Sequence, residues 1–250
     1  MRIEDFFREH KDVAAAFSGG VDSSVLLLLA KRYASRVKAY YVKSQFQPRF
    51  EYEDAVSVAQ MLDVEMELIE HDVLSDAKVT ANPQNRCYYC KKSIFGVITA
   101  AARRDGFQTV IDGTNASDDI SDRPGYKALG ELSVLSPLRK CGLTKRDIRL
   151  IATENSLPVS DKPSYACLAT RIPSGTRITA DLLSKTEAAE NALRGMGFKN
   201  FRVRCFGEGA ALEFGRKELL LFRENKDAVF SALTPYYSNI CPDIKERPDD

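Results

Sequence analysis

The chain has 250 residues, 44% of them hydrophobic, which is enough for one large domain or for a medium and a small one around a real core. Its 36 Lys and Arg against 35 Asp and Glu leave a net charge of +1, so there is no general electrostatic pull toward nucleic acid or an anionic membrane. No apolar run approaches the roughly 20 residues of a membrane span, and six cysteines are too sparse for a disulfide scaffold, so a cytosolic globular protein is expected.

In chain order, an apolar run predicts a first strand over 12–17, and Ser18-Gly19-Gly20-Val21-Asp22-Ser23-Ser24 follows it at the start of a second apolar run. Two glycines let the backbone approach an anion, and the first N–H groups of the helix lack internal partners and carry the positive end of the dipole. Ser18, Ser23 and Ser24 add hydroxyl donors. Asp22, in the first turn, favours the dipole and is placed to hold magnesium. Neither the P-loop spacing with its lysine nor the dinucleotide Gly-x-Gly-x-x-Gly occurs here, which disfavours kinase and dehydrogenase chemistry. An ordinary helix N-terminus is the plain alternative.

Further strands are predicted over 37–42, 64–70, 108–112 and 133–138. Helices are predicted over 22–34, 51–62, 90–104 and 144–155, the last capped by Thr144 with Asp147 at its third position. This alternation implies an α/β fold, a parallel sheet with helices on both faces, whose ligands bind beyond the carboxyl ends of the strands. By that rule Ser44 and Gly113, Thr114 and Asn115 are candidate nucleotide walls, with Asp118 and Asp119 beside them as candidate magnesium contacts, although Asp, Asn and Gly are also ordinary loop residues. Turn signals over 156–178 mark a boundary. The expected division is a first α/β domain over 1–165 that carries the glycine turn, a linker over 166–178 carrying Cys167, and a small α/β domain over 179–250. In that last domain Thr179 caps a helix over 180–195, strands run over 201–206 and 210–214, and a helix spans 216–234. The tail over 245–250 is expected to be loose.

Cys87 and Cys90 stand in Asn-Arg-Cys-Tyr-Tyr-Cys-Lys-Lys before a helix, and Cys167 stands in Pro-Ser-Tyr-Ala-Cys-Leu-Ala-Thr-Arg. A structural zinc site would need a fourth ligand; a dithiol redox pair would need only Cys87 and Cys90. Three thiolates can instead hold a [4Fe-4S] cluster with one iron open to an exogenous atom. Arg86, Lys91, Lys92 and Arg171 beside them favour thiolate, and Arg171 is also placed to stabilise phosphate charge developing in a transition state. Cys141, Cys205 and Cys241 read as ordinary small residues.

The glycine turn resembles the PP-loop of the adenine nucleotide alpha hydrolase superfamily, whose members split ATP between the alpha and beta phosphates. Together with Asp112-Gly-Thr-Asn-Ala-Ser-Asp118, Arg123-Pro-Gly125, Ser136-Pro-Leu138, Gly142-Leu-Thr-Lys-Arg-Asp-Ile-Arg149, Lys162-Pro-Ser-Tyr-Ala-Cys-Leu-Ala-Thr-Arg-Ile-Pro173 and Arg202-Val-Arg204, it resembles the LarE family of ATP-dependent sulfur transferases. The resemblance runs from about residue 12 to about residue 214. It implies ATP and magnesium, a small nucleotide substrate, pyridinium-3,5-biscarboxylic acid mononucleotide, and conversion of an adenylated carboxylate to a thiocarboxylate in nickel-pincer cofactor synthesis. One branch of the family sacrifices a single cysteine at the position of Cys167; the branch with two more binds a cluster, and Cys87 and Cys90 align this chain with it. On the same ground Arg202 and Arg204, which share a strand face, become a fork for the substrate phosphate, with Glu190 and Glu213 as polar or metal contacts. For the arginines, a solvated face of an edge strand is the alternative.

Rival readings are a tRNA thiolase of the same superfamily, an amide-forming ligase of the NAD synthetase or GMP synthetase type, and a zinc-stapled nucleotide-sensing module without turnover. Neutral charge speaks against the first, and three cysteines have no use in the second. No nucleic-acid or membrane partner is expected. A homo-oligomer and a separate sulfur donor are both compatible with the sequence.

Overall fold

The computed structural model describes residues 1–120 and 124–242. Arg123 and the tail over 245–250 lie outside the described residues. Contacts divide the chain into two units, one of Met1–Val73 and Asn85–Lys162, the other of Leu74–Gln84 and Pro163–Asp250. In chain order the elements are α1 (Ile3–Glu9), β1 (Asp12–Ala16), α2 (Val21–Tyr33), β2 (Arg36–Lys43), α3 (Arg49–Met61) and β3 (Met66–Glu70). Next come α4 (Ala77–Thr80), α5 (Arg86–Arg104), β4 (Thr109–Ile111), α6 (Pro124–Glu131), α7 (Pro137–Lys140) and α8 (Lys145–Glu154). The remainder are α9 (Ala180–Gly195), β5 (Phe201–Phe206), β6 (Gly209–Phe214), α10 (Arg216–Glu224), α11 (Lys226–Leu233) and β7 (Asn239–Pro242).

Unit one is built on a sheet of order β3-β2-β1-β4 whose three pairings are all parallel. Alternate strand residues serve its two faces. Val13, Ala15, Ala39 and Tyr41 pack with α1, α2 and α3 through Phe6, Val25, Leu26, Ala55 and Val58. Ala14, Tyr40 and Val42 pack with α5 and α6 through Phe95, Ile98, Ala102 and Leu129. Because the chain leaves β1 toward β2 and β3 and then returns to add β4 on the other side, the order reverses at β1. The turns after β1 and β4 therefore border the crevice where such folds bind ligands.

Most expected elements are present to within a few residues, and the differences have physical causes. The strand expected over 133–138 reduces to a single bridge, Leu135 beside Ile111, because Ser133 takes a φ of 56° and Pro137 opens α7. The helix expected over 216–234 breaks at Asn225, whose side-chain amide donates to Leu221 O at 2.9 Å and ends α10. Helix α5 begins at Arg86, earlier than expected, so both Cys87 and Cys90 lie within it.

Unit two carries a sheet of order β5-β6-β7, antiparallel then parallel. Its inserted segment, Leu74–Gln84, joins the stretch after Cys167 by hydrogen bonds: Gly175 N donates to Asn82 O and Ile178 N to Thr80 O, both at 2.8 Å. Asn82, fully buried with a φ of 53°, donates its amide to Pro173 O at 2.8 Å and Thr176 O at 3.0 Å.

In unit one, Lys38 Nζ lies 2.6 Å from Asp105, 2.9 Å from Glu65 and 3.0 Å from Glu67, while Tyr40 donates to Asp105 at 2.8 Å and Arg104 at 3.0 Å. Hydrogen bonds from Lys38, then Arg104, then Tyr40 hold the Asp105 carboxyl well below the usual carboxylate range. A folded value below the unfolded one stabilises the protein above about pH 4, and that stabilisation is lost as pH falls toward the folded value. Urea midpoints measured between about pH 6 and about pH 3 should accordingly fall less steeply for Asp105→Asn than for the wild type. Identical acid limbs would contradict this.

Candidate active site

The turn after β1 is shaped by its glycines and serines. Gly19 has a φ of 74°, and an added Cβ would stand 2.8 Å from Glu51 O and 2.9 Å from Ala55 N, so this turn is pressed against α3 and admits only glycine. Ser23 Oγ donates to Gly20 O at 3.0 Å, accepts from Ser18 N at 3.3 Å, and lies 3.1 Å from Ser18 Oγ. Gly20 is the N-cap residue of α2 and supplies no side-chain cap, which leaves the first N–H groups of the helix to a ligand. Ser24 Oγ is fully buried and has no hydrogen-bond partner. An orphaned hydroxyl in the first turn of a helix of 13 residues suits an anion acceptor.

Gly113, after β4, closes the other side. A Cβ there would stand 2.9 Å from Ser23 N and 3.1 Å from Ser23 Cα, so the two turns touch backbone to backbone. Asp112 fixes this second turn, accepting from Thr114 Oγ1 at 2.5 Å and Ser136 Oγ at 2.6 Å. Asn115, also buried, reaches across with Nδ2 3.3 Å from Asp22 Oδ1, and Asp118 accepts from Asn115 N at 2.9 Å. The first turn of α2 thus gathers Ser18, Gly19, Gly20, Asp22, Ser23, Ser24, Gly113 and Asn115 beyond the carboxyl ends of β1 and β4. Ser44, buried after β2, is taken up in its own turn: it donates to Gln47 Oε1 at 2.6 Å and accepts from Phe46 N at 3.2 Å.

Three residues with no site role in the sequence reading belong here. Lys145 Nζ pairs with Asp22 Oδ2 at 2.8 Å, and it is the first residue of α8, set in place by the capping box of Thr144 and Asp147. The capping box was readable; the pairing, 123 residues apart in sequence, was not. Asp112 and Arg139 are the others, the latter donating to Asp118 O at 2.7 Å and Asn115 O at 3.2 Å.

Among the described residues, no group of three or more His, Cys, Asp or Glu is gathered as a metal site. Cys87, exposed, and Cys90, half-buried, stand three residues apart on α5, on one helix face, with Arg86 Nη2 3.9 Å from Cys87 Sγ. Two soft donors so spaced, with a guanidinium beside them, fit an iron-sulfur cluster in their chemistry. The third cysteine, Cys167, is half-buried and belongs to unit two.

In unit two, Cys167 opens a single helical turn, Leu168–Arg171. Arg204, on β5, pairs with Glu213 on β6 and donates to Thr170 O at 2.7 Å. Arg202 shares its strand face, directly opposite Glu213 in the register. Two expected site residues are otherwise occupied. Arg171, expected as a stabiliser of phosphate charge, has a fully inaccessible side chain, and Glu190, expected near the substrate, is 2% accessible. They bind each other instead, Nε to Oε1 at 2.7 Å and Nη2 to Oε2 at 3.2 Å. Glu190 also accepts from the Tyr165 hydroxyl at 2.6 Å and from Val203 N at 3.2 Å. Burial alone would lower the Arg171 value, but the Glu190 charge and hydrogen bond outweigh it and keep the guanidinium charged. Burial, then the Glu190 charge, push the Tyr165 hydroxyl far above its usual range.

Comparison with known proteins agrees with this geometry. Residues 4–120 match the asparagine synthase family. The chain is 34% identical over 222 residues to an uncharacterized protein of Synechocystis, covering 88% of this chain and 82% of that one. It is 33% identical over 203 residues to the pyridinium-3,5-bisthiocarboxylic acid mononucleotide synthase of Lactiplantibacillus plantarum, covering 80% of this chain and 74% of that protein. A tRNA-specific 2-thiouridylase of Thermotoga petrophila is 27% identical over 195 residues, covering 60% of this chain and 54% of that enzyme. A glycine turn that leaves a helix start open to anions, together with similarity of that extent across both units, has one reading: the chain belongs to the LarE family of ATP-dependent sulfurtransferases.

Proposed function

We propose that the protein converts a carboxylate of pyridinium-3,5-biscarboxylic acid mononucleotide to a thiocarboxylate, through an acyl adenylate, in the synthesis of a nickel-pincer nucleotide cofactor. The observation that carries this reading is the uncapped first turn of α2, with its buried and partnerless Ser24 hydroxyl, facing Gly113. The relative from Lactiplantibacillus plantarum, named for the bisthiocarboxylic product, supports the choice of substrate.

In this reading the α2 N–H groups with Ser18, Ser23 and Ser24 hold the pyrophosphate of ATP, and Asp22 holds magnesium. Lys145, now on Asp22, supplies positive charge at the same place. A substrate carboxylate oxygen attacks the alpha phosphorus; the new O–P bond forms as the bond to pyrophosphate breaks, and pyrophosphate leaves with the electron pair. Sulfide-level sulfur then forms a C–S bond at the activated carbonyl carbon with its own electron pair, and AMP leaves with the C–O electron pair. Cys87, Cys90 and Cys167 are the residues that would hold a [4Fe-4S] cluster, which when bound supplies an iron position open to exogenous sulfide. Arg202 and Arg204 receive the substrate phosphate, with Glu213 orienting Arg204.

Two measurements check the reading. Asp22→Ala should abolish pyrophosphate release from ATP in the presence of the mononucleotide, and wild-type release from that variant would refute the role of Asp22. Replacing Arg202 and Arg204 together with alanine should raise the KM for the mononucleotide by about tenfold or more, since a charge-assisted hydrogen bond is worth about 1.5–3 kcal/mol, while the KM for ATP stays within about twofold. An unchanged mononucleotide KM would place the phosphate elsewhere.

A further inference from the structure

We infer that Arg171 is a positioning residue for Cys167, fixing the backbone on both sides of that cysteine from within a buried ion pair. This deepens the proposed function, in which Cys167 is a cluster ligand, and rests on it for its meaning in the reaction.

The guanidinium is anchored first. Glu190 on α9 takes Nε and Nη2 in a bidentate contact, and the Tyr165 ring lies under the guanidinium carbon, 4.5 Å from ring centre. With its plane fixed, Nη1 donates to Ala166 O at 2.9 Å, the carbonyl before Cys167. The same nitrogen donates to Thr170 Oγ1 at 2.8 Å. Thr170 Oγ1 in turn donates to Cys167 O at 2.8 Å, and Thr170 N donates to that carbonyl at 3.0 Å. Both peptide groups flanking the cysteine are thereby tied to one rigid cation. The turn is held from β5 as well: Arg204 Nη1 donates to Thr170 O, and Cys205 Sγ donates to Arg171 O at 3.3 Å.

Stability does not explain such an arrangement. The cost of removing a carboxylate and a guanidinium from water offsets much of their mutual attraction, and apolar residues of similar volume often stabilise a core as well or better. What the ion pair provides that an apolar pair cannot is a set of directed donors. A ligand thiol whose backbone moves by even half an ångström presents its sulfur wrongly, so directed donors around Cys167 have a use in the reaction.

Thr170 is the mildest place to break the chain of contacts, because valine keeps the shape and removes only the hydroxyl. In Thr170→Val the kcat for thiocarboxylate formation should fall about tenfold or more, while the KM values for ATP and for the mononucleotide stay within about twofold. Thr170→Ser, which restores the hydroxyl, should recover it. In cluster-free protein, hydrogen exchange of the amides over 167–171 should quicken about tenfold in Thr170→Val, with α9 and β5 unchanged. Wild-type kcat and exchange in Thr170→Val would overturn the inference, as would a loss that serine does not restore or one accompanied by equal KM changes. Should Thr170→Val not fold, Arg171→Lys serves with the same readouts, since lysine keeps the charge but cannot make the fork and reach Ala166 together. A wild-type protein that makes no thiocarboxylate refutes the proposed function instead, and the exchange comparison still decides whether the clamp exists.

Discussion

Around Gly113 three pieces of backbone come together: the turn after β4, the first turn of α2, and the turn after β1 that Gly19 seats against α3. A single methyl group at Gly113 would stand 2.9 Å from Ser23 N, and one at Gly19 would stand 2.8 Å from Glu51 O. Everything proposed for unit one depends on that closeness. It brings Asn115 to Asp22, leaves the helix start uncapped, and keeps Ser24 buried without a partner. A helix N-terminus in water has its N–H groups solvated. Here the same groups are enclosed beyond the carboxyl ends of β1 and β4, where an anion interacts with them more strongly.

Unit two works with charge in the opposite way. Its most buried ionic groups, Arg171 and Glu190, face each other and leave no accessible side-chain surface worth the name to a ligand. Arg202 and Arg204, by contrast, are half-buried on a strand beside Glu213, the kind of setting in which a guanidinium exchanges partners. Two arginines near Cys167 in sequence and structure, Arg171 and Arg204, thus have different surroundings: one is enclosed with its carboxylate, the other reaches from a strand to Thr170 O.

Legibility followed the range of the interactions concerned. The strand, glycine turn and helix around Ser18 to Ser24 were readable because a local pattern sets them, and α9 spans the expected 180–195 behind its Thr179 cap. Helix α1 was missed because its seven residues carry little periodicity; it is held by Phe6 and Phe7, both wholly buried. Nor does anything within Leu74–Gln84 announce that it belongs with residues after Cys167, since the hydrogen bonds of Asn82 reach across about ninety positions. Strand β7 was missed for a similar reason, as four residues with one half-buried side chain have no alternation to read. The burial of Arg171 is likewise a tertiary fact. From sequence an arginine four residues after a cysteine is a catalytic candidate, and only Glu190 on a distant helix turns it inward.

The glycine-lined turn is proposed to make a carboxyl group reactive by joining it to AMP. Tracing oxygen tests it most directly: with the substrate carboxylates labelled with heavy oxygen, a single turnover should deliver one labelled oxygen atom to the phosphate of AMP, because the attacking carboxylate oxygen stays on phosphorus when sulfur displaces it. Unlabelled AMP alongside thiocarboxylate product, or the release of ADP and inorganic phosphate in place of AMP and pyrophosphate, would contradict it.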